Sequence, residues 1–470
     1  MKKLYRFSAI ALLVLPLVFT SCSDYLDRDD DDNITEADVF ARYEKVNGLV
    51  SDVYAAAKKA DRPLVFFEHF SNSAITDECE GTNVEGNITN NFNNGAWNPN
   101  SLPGSVGQYW EALYEGIRKA NLIIENVQKY NTPDNPQQDG DLRNRIGEMY
   151  FMRGYFHMLL LRMYGEAPYI DRVINAGDNM DFKKESVHSM VEKIVTDAQT
   201  AYGMVPNKYV KTSENFGRVD KGACLGLISF VRWVAATPLW NGASQYGYNL
   251  RRVFENEYAY DATRWRKAKE AAKAVLDFEV GGTKRYSLYT KHDANDFKDP
   301  ADGNLNDSRV YARLWDMFYD MDAFANEYVF FMTKSKDQAW QGDIYPPSRE
   351  GSSRQQPVQE QVDEYEYIVG DYGYPVYSAE ARKGGYDDTN PYVKGTRDPR
   401  FYRDVIYHGA PYRNNKNESK TINTASGSDK IGATNATTTG YYLRKFQQES
   451  WNKSGNFSIN APAIWRLPEF

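Results

Sequence analysis

Histidine and cysteine are scarce in this chain of 470 residues, at five and three copies. His69, His157, His188, His292 and His408 stand far apart, with no HExxH or paired-ligand spacing. That scatter argues against a catalytic metal, because a zinc centre needs several protein ligands converging on one ion. A GxSxG elbow, a Walker loop and a GxGxxG turn after a strand are all missing, so the usual devices of hydrolysis and nucleotide binding are missing with them. No hydrophobic run is long enough for a transmembrane helix, since the longest, Ala9 to Phe19, reaches about half the ~20 residues required. Positive charge is in deficit too. The formal net charge is −8, which disfavours nucleic acid as a partner, whose phosphates demand a concentrated basic face. No catalytic residue, metal or cofactor is assigned. A glycosidase needs two carboxylates at a controlled separation, but 64 Asp plus Glu always offer pairs and so decide nothing.

What is present begins with an export signal. Lys2, Lys3 and Arg6 precede the apolar run, the pattern of a secretory signal peptide over residues 1–21. Thr20 and Ser21 then lead into Cys22, an arrangement that suits lipoprotein processing, with Phe19 where leucine is more usual. Cys22 is the expected lipid anchor, becoming the acylated first residue and holding the protein to membrane lipid. Each buried acyl methylene contributes about 0.8 kcal/mol. Residues 22–35, carrying Asp24, Asp27 and Asp29 to Asp32, form an acidic tether that repels itself and buries no apolar area. Cys79 and Cys224 remain after lipidation and allow one disulfide without defining a framework, while Cys224 lies in an apolar helical pattern and reads as a core residue.

Helical periodicity dominates residues 36–280. Trp110, Leu113, Ile117, Ala120, Ile124 and Val127 share one helical face, as do Leu142, Ile146, Met149, Arg153, Phe156, Leu160 and Tyr164. Gly165 and Pro168 end the second of these, and the polar stretch 131–140 lets the two pack antiparallel. Further helical faces run through Val187 to Tyr202, through Ala223 to Val234 behind an Asp220 cap, and through Trp265, Ala268, Ala272 and Val275. Trp110 and Trp265 are both expected in the core. Gly147, Gly154, Gly222 and Gly226 would permit close helix contact. The pattern predicts a mostly α fold, a scaffold of tetratricopeptide-like α-helical hairpins, without a strict 34-residue consensus.

Residues 281–470 differ in composition. From about Thr283 to Gly440 they are rich in Asp, Asn, Gly, Pro and Tyr, with short patterned stretches such as Glu327 to Met332, which predicts a loop-rich, aromatic-rich subdomain. The chain holds 35 Tyr and 9 Trp, more than a helical core needs, so many rings belong at surfaces. Rings with one polar end and one flat apolar face suit interfaces or sugars, and a shallow glycan site adds carboxylates, amides and guanidinium groups that bond hydroxyls. Candidates are Asp77, Glu78, Asn83 and Trp97 in the polar loop 72–99, Trp340 and Tyr345 later, and Tyr372, Tyr374 and Tyr377 beyond them.

Several motifs resemble the RagB/SusD family of nutrient-uptake outer-membrane lipoproteins, in an order that covers nearly the whole chain. They are Cys22-Ser-Asp-Tyr-Leu-Asp27; Trp110, Tyr114, Ile117, Ala120 and Asn121; Arg153-Gly-Tyr-Phe156 running into Tyr164-Gly165 and Pro168; Gly217-Arg218 with Gly222-Ala223; Asp398-Pro399-Arg400; and Arg466-Leu-Pro-Glu469. The acidic run behind Cys22 also resembles the surface-export signal of Bacteroidetes lipoproteins. The resemblance implies a cell-surface protein on the extracellular side of the outer membrane that captures an oligosaccharide ligand and delivers it to a SusC-like TonB-dependent transporter, and no enzyme. The alternatives are a lid or scaffold of that transporter with no ligand contact, and a surface glycoside hydrolase. In that family a helix follows the stretch matching Ile464 to Phe470, so the chain is expected to be truncated at its C-terminus. Replacement of Cys22 by Ala should leave an uncleaved or soluble form, and mass spectrometry finding unmodified Cys22 in membrane-derived protein would exclude the anchor.

Overall fold

The computed structural model describes residues 35–61, 69–83, 88–98, 100, 104–130, 136–209, 215–242, 254–290, 317–318, 320, 325–332, 342–393, 395–413, 419–446 and 463–470. Cys22, the acidic tether and Trp340 lie outside them. Among the described residues eight α-helices carry the first part: α1 (Glu36–Phe40), α2 (Tyr43–Ala60), α3 (Ile88–Asn93), α4 (Gly104–Tyr130), α5 (Pro136–Tyr164), α6 (Val187–Met204), α7 (Lys221–Ala236) and α8 (Ala262–Leu276). From α4 onward each packs on the next, and α2 covers α4 and α5, giving a mostly α, tetratricopeptide-like stack of hairpins. The caps are local. Thr35 and Asp38 form a reciprocal capping box on α1, and Asp220, as expected from its place in the chain, accepts from the Ala223 N–H at 3.1 Å to open α7. Val46, Val50, Val53, Ala57 and Ala60 place α2 against the core with the same 3-4 spacing.

A buried ion pair locks the stack. The Arg153 guanidinium on α5 meets the Asp197 carboxylate on α6 through two bonds of 2.8 and 2.5 Å. It also donates to Asn121 Oδ1 on α4 at 2.9 Å and to the Asp171 carbonyl at 2.8 Å, while Tyr169 donates to Asp197 at 2.7 Å. Removing one partner would strand a buried charge, at a cost of about 3–5 kcal/mol. A second buried carboxylate, Glu148, accepts from Arg145, Arg218, Tyr54 and Tyr209 at 2.6, 2.8, 2.9 and 2.7 Å, drawing α2, α5 and the segment before α7 together.

Trp110 is half-buried, its ring 4.9 Å from both Tyr114 and Tyr164 against the main core. Trp265 is not in the core as its spacing predicted. It is 44% exposed, because Ala268 and Val275 take the inward side of α8 and the indole stands about 60° round the helix from them.

Among the described residues twelve short strands form six two-stranded antiparallel ribbons, most of them in the remainder of the chain. Three of these ribbons matter for position. β1 (Cys79–Gly81) pairs with β5 (Gln355–Pro357), β4 (Tyr328–Phe331) with β12 (Ala463–Arg466), and β6 (Tyr367–Val369) with β7 (Tyr372–Tyr374). The division of the chain at residue 280 is therefore bridged in both directions. Phe330 and Trp465 enter the helical core against Tyr155, with ring centroids 5.4 and 6.1 Å away, and a Cβ on Gly226 of α7 would lie 2.9 Å from Val329 and 3.0 Å from Trp465. Residues 79–81 conversely join the loop-rich part, whose own core is built from Ile344, Tyr345, Val362, Phe401, Val405 and Tyr442. Cys79 and Cys224 are free thiols in separate cores, and burial pushes Cys79 up to about 12 and Cys224 well above its ordinary value.

His157 is wholly buried in the helical core. The Ile170 N–H donates to its Nε2 at 3.0 Å, so its Nδ1–H donates to the Arg153 carbonyl at 2.8 Å, and the ring stacks on Tyr169 at 3.7 Å. Burial pushes its pKa down to about 3. The unfolded chain protonates this imidazole near 6.5 and the folded chain does not, so its contribution is complete above that pH and is lost as pH falls toward 3. Between pH 7 and pH 5 the protein should lose roughly 2 kcal/mol from this group. Urea midpoints should fall less steeply with acid in a His157→Gln variant, and equal slopes would show that His157 is not the cause.

Candidate functional site

The exposed aromatic surface is built on the β6–β7 hairpin and the turns around it. Gly370, with φ +63°, makes the hairpin turn, and Tyr372 stands across from Val369 at 70% exposure. Tyr374 pairs with Tyr367 and is half-buried in a small cluster with Val376, Ala381 and Tyr386, which anchors the hairpin. Tyr377 is 55% exposed, edge-on to Tyr386 with centroids 6.0 Å apart. Its hydroxyl donates to Asp363 Oδ2 at 3.0 Å, and Gln359 donates to Asp363 Oδ1 at 2.7 Å from one turn earlier on the short helix Gln359–Asp363. Gln359 in turn accepts from Tyr441 at 2.7 Å, and Tyr441 is bonded to Tyr392. Desolvation and the bond with Asp363 push the Tyr377 hydroxyl up to about 12, so it stays protonated and donates at neutral pH. A ring face, a carboxylate and an amide thus meet at one partly open place.

Asp77 and Glu78 reach the same neighbourhood through the β1–β5 pairing. The Val358 N–H, next to Gln359, donates to the Glu78 carbonyl at 3.3 Å, and both acidic side chains are exposed. Trp97 is half-buried against the small core of Phe70, Ala74 and Cys79, edge-on to Phe92 at 5.0 Å. Asn83 is a tether. With φ +61°, its amide nitrogen donates to the carbonyls of Ser352, Ser353 and Ala436 at 3.1, 3.3 and 3.0 Å, so those protons are committed to holding loops together.

Tyr345 has to be withdrawn as a sugar platform. It is 3% exposed and packs in the core with Ile344, Val362 and Phe401, where no ligand could stack on it. Asp363, Gln359 and Tyr441 were missed. The signal available was the polar and aromatic alternation from Gln359 to Tyr367, which a search for rich loops passes over. Among the described residues no helix is long and apolar enough to cross a membrane, and no group of three or more His, Cys, Asp or Glu side chains could hold a metal ion.

A tetratricopeptide-like helical stack is the fold of SusD-like proteins. The family described as starch-binding and associating with the outer membrane matches residues 24–231, the SusD family matches residues 321–469, and the chain belongs to this SusD-like group. SusD-like protein P2 of Formosa agariphila is 24% identical over 202 residues, 42% of this chain and 38% of that relative's length. A SusD-like protein of Bacteroides fragilis superposes with a TM-score of 0.65 at 18% identity, over 95% of this chain and 75% of its own. A SusD-like carbohydrate-binding protein of the same species gives 0.64 at 14% identity, over 92% and 73%. At these identities the two structures speak for the fold. Tyr345→Ala should cost about 3–5 kcal/mol, the range for removing a buried aromatic ring, as measured by denaturant unfolding. A change under about 1 kcal/mol would return Tyr345 to the surface.

Proposed function

We propose that this protein is a cell-surface glycan-binding lipoprotein, held to the outer membrane by acylated Cys22, which captures oligosaccharides and delivers them to a SusC-like TonB-dependent transporter. The observation that carries the reading is the Tyr377–Asp363–Gln359 surface, with the Glu78 main chain bonded next to Gln359 and Tyr372 exposed on the β6–β7 hairpin, on a chain of the SusD-like family. Its chemistry suits a sugar chain: the ring faces cover C–H surfaces, the carboxylates accept from hydroxyls, and the amide does both. The network through Tyr441 and Tyr392 holds these groups in place before a ligand arrives, which lowers the entropy lost on binding. The carbohydrate-binding relative from Bacteroides fragilis supports the same class of ligand. Export and anchoring rest on the signal segment and the Thr20-Ser21-Cys22 junction, and delivery rests on the family resemblance.

A glycan array followed by calorimetry tests the reading. Wild type should bind at least one oligosaccharide without releasing products. Tyr377→Ala and Asp363→Ala should each weaken it about tenfold or more, near 1.4 kcal/mol, at unchanged helical content. Turnover of the glycan would make the protein a hydrolase. Full affinity in both variants would remove the surface from the function.

A further inference from the structure

A recess lies on the helical scaffold, apart from the tyrosine surface. A cleft of about 200 Å³ opens among the start of α6, the end of α7 and the start of α8, and shares no residue with the tyrosine surface. Pockets for drug-sized ligands run roughly 300–1,000 Å³, so this one has room for a single ring and not for a chain. We propose that the cleft binds one neutral sugar unit, a hexose-sized polyol, as a carbohydrate site separate from the tyrosine surface.

Its walls alternate donors and acceptors. Glu192 of α6 receives both terminal nitrogens of Arg232 from α7, one of them at 2.7 Å, and Lys267 of α8 at 3.2 Å. The bonds from Arg232 come first in holding the Glu192 carboxyl at about 2, so it is ionised throughout the useful pH range. A carboxylate offers about four lone-pair sites, and three are used; an ammonium offers three protons, and Lys267 spends one on Glu192. Arg264 is fixed by Asn241 Oδ1 and the Ala259 carbonyl at 2.8 and 2.7 Å. His188 adds a proton acceptor. Its Nε2–H donates to the Trp240 carbonyl at 2.9 Å, and burial, the largest cause, lowers its pKa to about 4, which leaves a neutral ring with Nδ1 as a lone pair.

Such a wall selects by elimination. A small anion would meet the Glu192 carboxylate and the His188 lone pair, while a small cation would meet Arg232, Arg264 and Lys267. A hydroxyl both donates and accepts, so a polyol can satisfy each group in turn. The bonds among Glu192, Arg232 and Lys267 join three helices, so the cleft is shaped before a ligand enters.

Saturation-transfer NMR with free glucose, galactose, mannose and glucuronate tests this on the whole protein. At least one neutral hexose should bind wild type and be preferred over glucuronate. Thr263→Trp, which places an indole at the exposed edge of the cleft, should abolish the signal, and Lys267→Met should weaken it about fivefold or more. Thermal melts verify that each variant is folded, and if the tryptophan variant fails to fold the Lys267→Met result decides. Tyr377→Ala should leave hexose binding unchanged while it weakens the oligosaccharide. The proposal falls if wild type binds no neutral hexose, if glucuronate is preferred, or if the signal survives both cleft variants. Loss of the hexose signal in Tyr377→Ala with retention in Thr263→Trp would overturn the cleft site and leave the tyrosine surface standing.

Discussion

Everything in the scaffold turns on one guanidinium buried where three helices meet. Burying the Arg153 charge would be prohibitively costly without the Asp197 carboxylate, and Asn121 and the Asp171 carbonyl take two more of its protons. The geometry that satisfies Arg153 fixes the register of α4, α5 and α6 at once, since a slip of one residue along any of them would strand a charge. Asn121 then carries the order outward by donating to the Ile170 and Arg172 carbonyls, which holds the segment leaving α5 against the stack. Two residues along α5 from Arg153, Tyr155 presents the ring on which Phe330 and Trp465 of the loop-rich part come to rest.

Above that contact the loop-rich part replaces regular structure with buried polar hubs. Arg397, almost fully buried, donates to the carbonyls of Tyr365, Pro391 and Val362 and lies over the Phe401 ring, bonding main-chain oxygens that have no ladder partner. Gln356 does similar work between chain segments, donating to Thr82 and the Ser353 carbonyl and accepting from Thr437 and Thr438. Loops pinned in this way can present Tyr372, Tyr377 and Asp363 in one arrangement, which is what a binding surface built on irregular chain requires. The polar groups that look functional in such a region divide into those that hold it and those that face out. Asn83 belongs to the first group and the exposed Asp77 to the second.

The helical half was largely legible. Five of the eight helices follow from 3-4 spacing with their caps or stops, because one apolar face per helix is all that a hairpin stack needs. The α2 helix carries an equally clear face in Val46, Val50, Val53, Ala57 and Ala60 and was readable but unread. Trp265 shows the limit of the rule. Period places it beside Ala268, but whether a ring 60° off the centre of a face is covered depends on what packs there. Motif residues such as Arg153, Asn121 and Arg218 carried the family resemblance, and all three hold buried carboxylates or carbonyls in the scaffold. In the loop-rich half the same method failed for Tyr345, since a tyrosine between loops has no periodicity to show its side.

By itself the sequence determined the acidic composition behind Cys22, the helical class of the first half, the change of composition near residue 280, and a surplus of aromatic rings to be housed outside a core. These are local or additive properties, carried by runs, spacings and counts. Only the tertiary structure decided which rings face out, because exposure is set by partners far away in the chain. Tyr345 is covered by Val362 and Phe401, and Gln359 and Asp363 meet Tyr441 and Tyr377 only when three chain segments have closed on one another. The cleft among α6, α7 and α8 has the same origin. Glu192, Arg232 and Lys267 are an unremarked Glu, Arg and Lys along the chain, and they become one wall when three helices pack.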